Sequence, residues 1–409
     1  MKKPYFALVP SGYAFYKLFS ILPTNGDADF NFYRSTGSSR VAENGLMESI
    51  SSAHPTLDWL NSSCPRLKIE ESRTNLQKYS EDFTQPQWAV SNSSVIGNDT
   101  IDPKGVENAD KIIPNTNNTY HYVESITSGS GYGVTTTYSV FVKKGGFSQV
   151  ELRLAYYSSP GTPIAQVKFD LDTLQTFGTT IGTAFEYQDY GNGWYRLQIN
   201  ASVSLGASSA MLRVAVLDNQ SQIFQGNEVD GLFVWGAQLE SYAAKASSYI
   251  PTYSLTSSRA VDQISPITLM NNDAKGTVFL DLKAENVNGL STITLSDYAN
   301  NRIVFSFQSD SRLSVQVGDA AAPPFFTYQY IHNQQRFKIA VKWERYGNLE
   351  IYINGVNVAV TSAGNLNNLN TFLFGSYSGA TNPFQGDVYQ SSIYNEYLTN
   401  SELIELTKL

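Results

Sequence analysis

Leu349-Glu350-Ile351-Tyr352-Ile353-Asn354-Gly355-Val356-Asn357-Val358-Ala359-Val360 is the stretch on which the fold class turns. Leu349, Ile351 and Ile353 recur at every second position, and so do Val356, Val358 and Val360 beyond the Asn-Gly pair. A period of two sends alternate side chains to opposite faces of a strand. Asn-Gly between two such runs predicts a type I′ hairpin, because both central residues take positive φ and the twist of the turn matches that of the strands.

The same alternation continues on both sides. Phe337, Ile339, Val341 and Trp343 precede the hairpin, and Val278, Leu280 and Leu282, then Ile303, Phe305 and Phe307, then Leu313, Val315 and Val317 lie further back. Thr399 and Glu402 are spaced as a capping box, which predicts a short C-terminal helix carrying Leu403, Ile404 and Leu406. Earlier in the chain, Val150, Leu152 and Leu154, Tyr195, Leu197 and Ile199, and Leu212, Val214 and Val216 repeat the pattern, with an Asn192-Gly193 turn signal before Trp194. No long segment of period 3.6 interrupts them. The expectation is an all-β chain: two antiparallel β-sandwiches of jelly-roll type after a small irregular or β N-terminal region, closed by the short helix. The polar stretch 253–267 marks a junction, so the expected domains are 1–75, 76–260 and 261–409.

Charged residues make up 16% of the 409, against a usual share of about a quarter. Tyr (26) and Phe (22) are abundant, so hydroxyls and ring faces stand where charges are common, as on adhesive surfaces. The net charge is −8 and no Lys/Arg cluster exceeds pairs such as Lys143-Lys144, which argues against nucleic acid and against an anionic membrane surface. No run approaches the roughly 20 apolar residues of a membrane span. The single Cys64 excludes an internal disulfide, and its default reading is a buried structural thiol. Met1-Lys2-Lys3 is followed by Pro4, Pro10 and Gly12, which break an export-signal pattern, so synthesis in the cytoplasm is expected.

Two regions resemble known families. Glu71-Ser72-Arg73-Thr74-Asn75-Leu76, Tyr79-Ser80-Glu81-Asp82-Phe83 and Trp88 open the first. Tyr138-Ser139-Val140-Phe141-Val142-Lys143, Gly193-Trp194-Tyr195-Arg196 and Val234-Trp235-Gly236-Ala237-Gln238-Leu239-Glu240 follow, and Ala246 to Thr252 and Ser258-Arg259-Ala260 close it. The series resembles the carbohydrate-binding-module-like domain of bacteriophage tail and other virion proteins. Phe30-Asn31-Phe32-Tyr33-Arg34, Arg40-Val41, Gly45-Leu46 and Cys64-Pro65-Arg66-Leu67 are similar to the N-terminal lead of the same proteins. The second region has Trp343, Leu349 to Gly355, Phe372-Leu373-Phe374-Gly375, Phe384-Gln385-Gly386-Asp387-Val388, Ile393-Tyr394-Asn395 and Leu398 to Leu403. It resembles the concanavalin A-like, laminin-G-type fold, which hosts lectins, enzymes and structural modules alike.

The search for catalytic groups returns little. His54, His121 and His332 lack ligand-like spacing, and no nucleophile elbow or phosphate loop is present. Retaining glycosidases of the lectin fold carry a Glu-x-Asp-x-x-Glu strand, which this chain lacks; Glu344 and Glu350 flank a turn instead. Structural calcium is left open: Asp102, Glu107 and Asp110 in the first sandwich and Asp297 or Asp387 in the second are isolated acids without loop spacing, so no metal site and no other cofactor is assigned. Trp194, Trp235 and Trp343 read as core. The binding candidates are tyrosines, whose rings suit sugar C–H faces: Tyr120, Tyr122, Tyr156 and Tyr157 in the first sandwich, and Tyr328, Tyr330 and Tyr377 in the second. Each has an ordinary alternative as a half-buried sheet residue or a subunit contact.

The resemblance implies a non-enzymatic virion structural and adhesion protein, a tail-fibre, head-fibre or spike subunit. It would be held to other virion proteins through its N-terminal region, be a homo-oligomer (a trimer by preference) and touch host-surface glycans. The alternatives are a particle-borne glycan depolymerase with an active site between subunits, and a free glycan-binding lectin. The fold expectation has a direct check: circular dichroism should show a β spectrum, and a helix content near the globular average of about a third would overturn it.

Overall fold

The computed structural model describes residues 2–128, 135–159, 161–182, 184–202, 209–269, 274–285, 290–298, 301–308, 311–318, 325–329, 335–375 and 382–409. Its regular structure is β throughout except for one helix among these residues, Asn400–Thr407. The chain divides into two units, one of residues 38–49 and 73–259, the other of 1–37, 50–72 and 260–409.

The first of these units is a sandwich of two six-stranded antiparallel sheets. One runs in the order Trp88–Ser91, His121–Ser128, Ser209–Leu217, Gln149–Tyr156, Pro163–Asp170 and Gln175–Thr176. The other runs Ser93–Ile101, Glu107–Pro114, Gly231–Ser241, Thr135–Gly145, Tyr195–Ser202 and Ala184–Asp189. The alternating residues read from the sequence face inward, since Val150, Leu152, Leu154, Leu212, Val214, Val216, Leu197 and Ile199 share one buried cluster. Each such side chain contributes about 1.5–3 kcal/mol by leaving water. A smaller cluster gathers Trp194, Trp235, Phe141, Tyr249 and Met47. Trp194 donates its indole N–H to the Ile101 carbonyl at 3.0 Å, and the Lys104 ammonium lies 4.8 Å from the Trp235 ring. Both tryptophans are thus core residues, as expected.

The second unit pairs an eight-stranded sheet with a six-stranded one. Five strands of the larger sheet come from the C-terminal half, in the order Val356–Ser362, Asn348–Ile353, Phe337–Glu344, Lys275–Ala284 and Gly386–Tyr394. The free side of Gly386–Tyr394 is completed by N-terminal strands. Phe6–Leu8 pairs with its end, Phe6 opposite Ile393, and Arg66–Ile69 pairs with its start, Ile69 opposite Gly386, with Thr56–Asp58 beyond. The facing sheet runs Ile267–Thr268, Thr371–Leu373, Leu290–Ser296, Arg302–Gln308, Arg312–Val317 and Phe325–Gln329. One core contains Trp343, Phe305, Phe307, Leu280 and Ile339 together with Phe6, Phe30, Phe32, Leu57 and Leu67.

This division differs from the expected 1–75, 76–260 and 261–409. The N-terminal segments are not a separate body, because Phe6–Leu8, Phe30–Tyr33 and Arg66–Ile69 each pair with a strand of the C-terminal half. Arg34 shows the same dependence. Its guanidinium donates to Asp262 at 2.8 Å, to the Thr56 hydroxyl, and to the carbonyls of Thr36 and His54. Asp262 accepts in addition from the backbone N–H of Glu70 at 2.8 Å. Both side chains are fully buried.

The Asn354-Gly355 turn forms as read, with φ of 48° and 82° and Ile353 opposite Val356. The following valines depart from simple alternation. A register shift lies between Ile351 and Tyr352, and Val356 and Val360 are exposed on the edge strand while Val358 packs on the core. The capping box forms at Thr399, and the helix places Leu403 with Phe279, Ala340, Tyr352 and Tyr394 on the outer face of the larger sheet. Cys64 was expected buried; it is exposed, because it lies in the loop between Thr56–Asp58 and Arg66–Ile69.

Two variants test this arrangement. Gly355→Val forces a β-branched residue to positive φ and is expected to cost about 1–3 kcal/mol, read as a lower melting temperature. Arg34→Met leaves Asp262 buried without its cation and is expected to cost about 3–5 kcal/mol, with much of the loss restored by adding Asp262→Leu. Equal melting of the Arg34 variant and the parent would remove this pair from its structural role.

Candidate functional site

The tyrosines singled out in the first sandwich do not form one site. Tyr122 lies opposite Ala215 and Tyr156 opposite Ala210 on the same strand, a separation of five residues, or roughly 17 Å at a strand's rise. Tyr157, just beyond the strand end, is exposed. In the other unit, Tyr328 lies on the strand Phe325–Gln329, opposite Leu313. Tyr330 and Tyr377 lie outside the described residues, as does His332.

Tyr120 and Tyr122 do come together, with ring centroids 5.0 Å apart, on the outward face of the sheet. Arg213 reaches them from the neighbouring strand, its guanidinium carbon 3.9 Å from the Tyr122 ring centre and 5.4 Å from that of Tyr120. The same guanidinium is bound to Glu124 at 2.6 Å. Tyr120 donates its phenol proton to Glu151, and burial followed by the adjacent Glu151 charge raises the phenol's pKa well above its ordinary value. Glu151 also accepts from Gln222 and sits 3.2 Å from Arg153, which donates to Gln166 at 2.9 Å. Arg213 with Glu124, and Tyr120, Gln222 and Arg153 with Glu151, are thus paired with one another. The chemistry of this face is that of a rigid, neutralised layer, which suits the ordinary reading of these residues.

The other isolated groups also have structural partners. His121 is buried with its ring nitrogens against the carbonyls of Asn92 and Phe224. Asp110 accepts the backbone N–H groups of Phe83 and Asn98, and burial raises its carboxyl to about 6. Asp102 caps the turn at Lys104 and Val106, Asp297 binds Asn301, and Asp387 lies 3.0 Å from Arg66. Glu350 is held by Lys342, Tyr352, Tyr397 and Asn357. Among the described residues, no group of three or more His, Cys, Asp or Glu is placed to hold a metal ion.

A groove at the open edge of the first sandwich offers more. It has a volume of about 470 Å³ and is lined by Phe169, Leu174, Gln175, Thr176, Phe185, Glu186 and Tyr187. One wall comes from the end of Pro163–Asp170 and its return strand, the other from the edge strand Ala184–Asp189 of the facing sheet. The return is tight because Asp170 accepts the backbone N–H groups of Asp172 and Thr173. Burial pushes that carboxyl upward, but these bonds and one from Gln149 outweigh it and hold the pKa below its ordinary value. Leu174 completes the turn at φ 56°, an uncommon backbone for a leucine.

The aromatic wall grades from core to solvent. Buried Phe169 lies 5.1 Å from both Phe185 and Tyr187, and Tyr187 is 40% exposed. Gln175, Thr176 and Glu186 supply amide, hydroxyl and carboxylate groups, and Lys245 neutralises Glu186 at 2.6 Å. The arrangement can stack a flat apolar face against Tyr187 while hydrogen-bonding polar edges. Sequence reading missed Phe185 and Tyr187. The available signal was two aromatics at alternate positions in the otherwise polar run Phe185-Glu186-Tyr187-Gln188-Asp189.

Comparison with solved structures finds likenesses at low identity. The carbohydrate-binding module CBM40 of the Ruminococcus gnavus IT-sialidase, bound to alpha2,3 sialyllactose, is 14% identical, with 33% of this chain and 84% of that one covered and a TM-score of 0.30. Domain 4 of AbnA, an arabinanase from Geobacillus stearothermophilus, in complex with arabinotriose, is 17% identical over 40% and 82% of the two chains, at 0.29. A SAP-like pentraxin from Limulus polyphemus is 14% identical over 34% and 70%, at 0.28. No curated protein matches the chain. In sequence, residues 258–404 match the concanavalin A-like lectin/glucanases superfamily, so the C-terminal part of this all-β chain is similar to that family.

Proposed function

We propose that this chain is a non-enzymatic adhesion protein of a bacteriophage particle that contacts host-surface glycans, with the groove at Tyr187 as its saccharide contact. The observation that carries the reading is the groove itself. Its volume of about 470 Å³ lies in the range of small-ligand sites, and its lining joins ring faces to a few polar groups. The match of residues 258–404, in the other unit, to the concanavalin A-like lectin/glucanases superfamily supports a saccharide ligand for the chain as a whole. Because Lys245 offsets Glu186, the groove favours a neutral saccharide over an acidic one. The virion assignment is supported by the resemblance of residues 70–260 to phage structural modules. The reading includes a homo-oligomer, with a trimer favoured, and contact with other virion proteins through residues 1–75.

Calorimetric titration with neutral host-surface oligosaccharides tests the groove. Tyr187→Ala is expected to weaken binding about tenfold, equivalent to 1.4 kcal/mol, with little change in melting temperature because the ring is partly solvated. Unchanged affinity would remove the groove from this role. Release of reducing ends from the same polysaccharide would replace the adhesion reading with a depolymerase.

A further inference from the structure

Residues 13–18 form a hairpin whose loop has unusual chemistry. Tyr13 pairs with Leu18 and Ala14 with Lys17, so the connection is the dipeptide Phe15-Tyr16. Two-residue hairpin loops call for Asn, Asp or Gly, because they need positive φ. Tyr16 has φ 64°, a conformation that costs a bulky residue energy. It is nevertheless held there, since its N–H donates to the Ala53 carbonyl and its carbonyl accepts from Phe32, both at 2.9 Å. Neither loop ring gains a core contact in return: Phe15 is 54% exposed and Tyr16 45%. A local rule broken without a packing gain points to function.

The rings form a cluster. Phe15 lies 4.2 Å from Tyr16 and 5.3 Å from His54, while Tyr16 and Tyr33 are parallel to within 5° at 6.3 Å. Phe19 continues the hairpin, its N–H bound to the Gly12 carbonyl, and Tyr33 and Phe19 are 48% and 38% exposed. Buried aromatic side chains cover about 150–250 Å² each, so these four leave about 400 Å² of ring surface in water. That is close to the apolar share of one side of a standard protein interface, somewhat over half of about 800 Å². The Lys17 ammonium is the only formal charge of the hairpin.

We propose that this aromatic hairpin, with Tyr33, is the surface through which a second copy of the chain docks. Copies that each carry a net charge of −8 repel, so they meet most readily over a patch whose exposed side chains are not acids, and Phe15, Tyr16, Phe19 and Tyr33 form one. Its composition, aromatic and depleted in charge, is that of an interface core. A saccharide is the poorer fit, because Phe15 and Phe19 offer no hydrogen bond and the His54 Nδ1 is already 2.7 Å from the Ser51 hydroxyl. The inference rests on the homo-oligomer reading above and does not depend on the groove at Tyr187.

Sedimentation velocity over a range of concentrations, on the full chain and on Phe15→Ser and Tyr16→Gly, tests it. The parent is expected to sediment as an oligomer, and each variant to dissociate at a concentration at least tenfold higher. Tyr16→Gly separates this role from a structural one: glycine accepts positive φ, so its melting temperature measured at low concentration should equal or exceed that of the parent while association weakens. A parent that remains a single chain, or variants with unchanged association, would overturn the proposal. So would variants that keep their mass but lose binding to a glycan or to another particle protein, since the surface would then belong to that partner. Tyr187→Ala, which should keep its mass, reports on the glycan reading separately.

Discussion

The ion pair between Arg34 and Asp262 ties the N-terminal segments of the larger unit to its C-terminal half. Two charges brought fully out of water are costly, and their attraction compensates only when the remaining donors and lone pairs are also satisfied. Here the guanidinium reaches Asp262, Thr56, Thr36 and His54, and the carboxylate takes the Glu70 amide as well. One side chain thereby gathers segments that lie far apart in sequence. The polar linkage selects one arrangement of these loops, since any other leaves a buried charge unpaired.

The wider use of charge follows a related pattern. With few ionic residues, the chain places cations over ring faces as well as beside carboxylates. Arg213 lies over Tyr122, Lys104 over Trp235, Arg336 over Tyr389 at 4.1 Å and Lys342 over Tyr397 at 4.3 Å. All four of these cations also hold an acid: Glu124 for Arg213, Glu81 for Lys104, Asp281 for Arg336 and Glu350 for Lys342. The abundance of tyrosine that looked adhesive in composition is thus partly structural. Tyr120 and Tyr122 are the clearest case, because the Arg213 guanidinium lies over both rings.

Strands with strong alternation were legible in the sequence. Val150 to Leu154, Phe337 to Trp343 and the Asn354-Gly355 hairpin all lie where their pattern places them, because period and turn chemistry are local properties. The N-terminal strands were not, since three- and four-residue segments such as Phe6–Leu8 and Arg66–Ile69 carry too little periodicity and pair with residues more than 300 positions away. The groove was hidden for a similar reason. Phe169 lies next to the edge of one sheet and Tyr187 on the edge strand of the other, and only the closing of the sandwich brings them to 5.1 Å. Cys64 was misread because its burial depends on a loop whose position no local pattern encodes.

The pairing of Phe6–Leu8 with the strand Gly386–Tyr394 has a consequence for the order of events during synthesis. Residues 73–259 can close their own sandwich as soon as they emerge, whereas Phe6 has no sheet partner until Ile393 has been made. At about 5–20 residues per second the interval is roughly 20–80 s. Throughout it the first strand has only its local bridge from Ala7 to Leu22, and the edge that Gly386–Tyr394 will cover stays open, the kind of surface that recruits neighbouring chains. Nascent copies made on one message are held close together for that same interval, so the timing of translation bears on whether the strand finds its own last partner or that of a sibling.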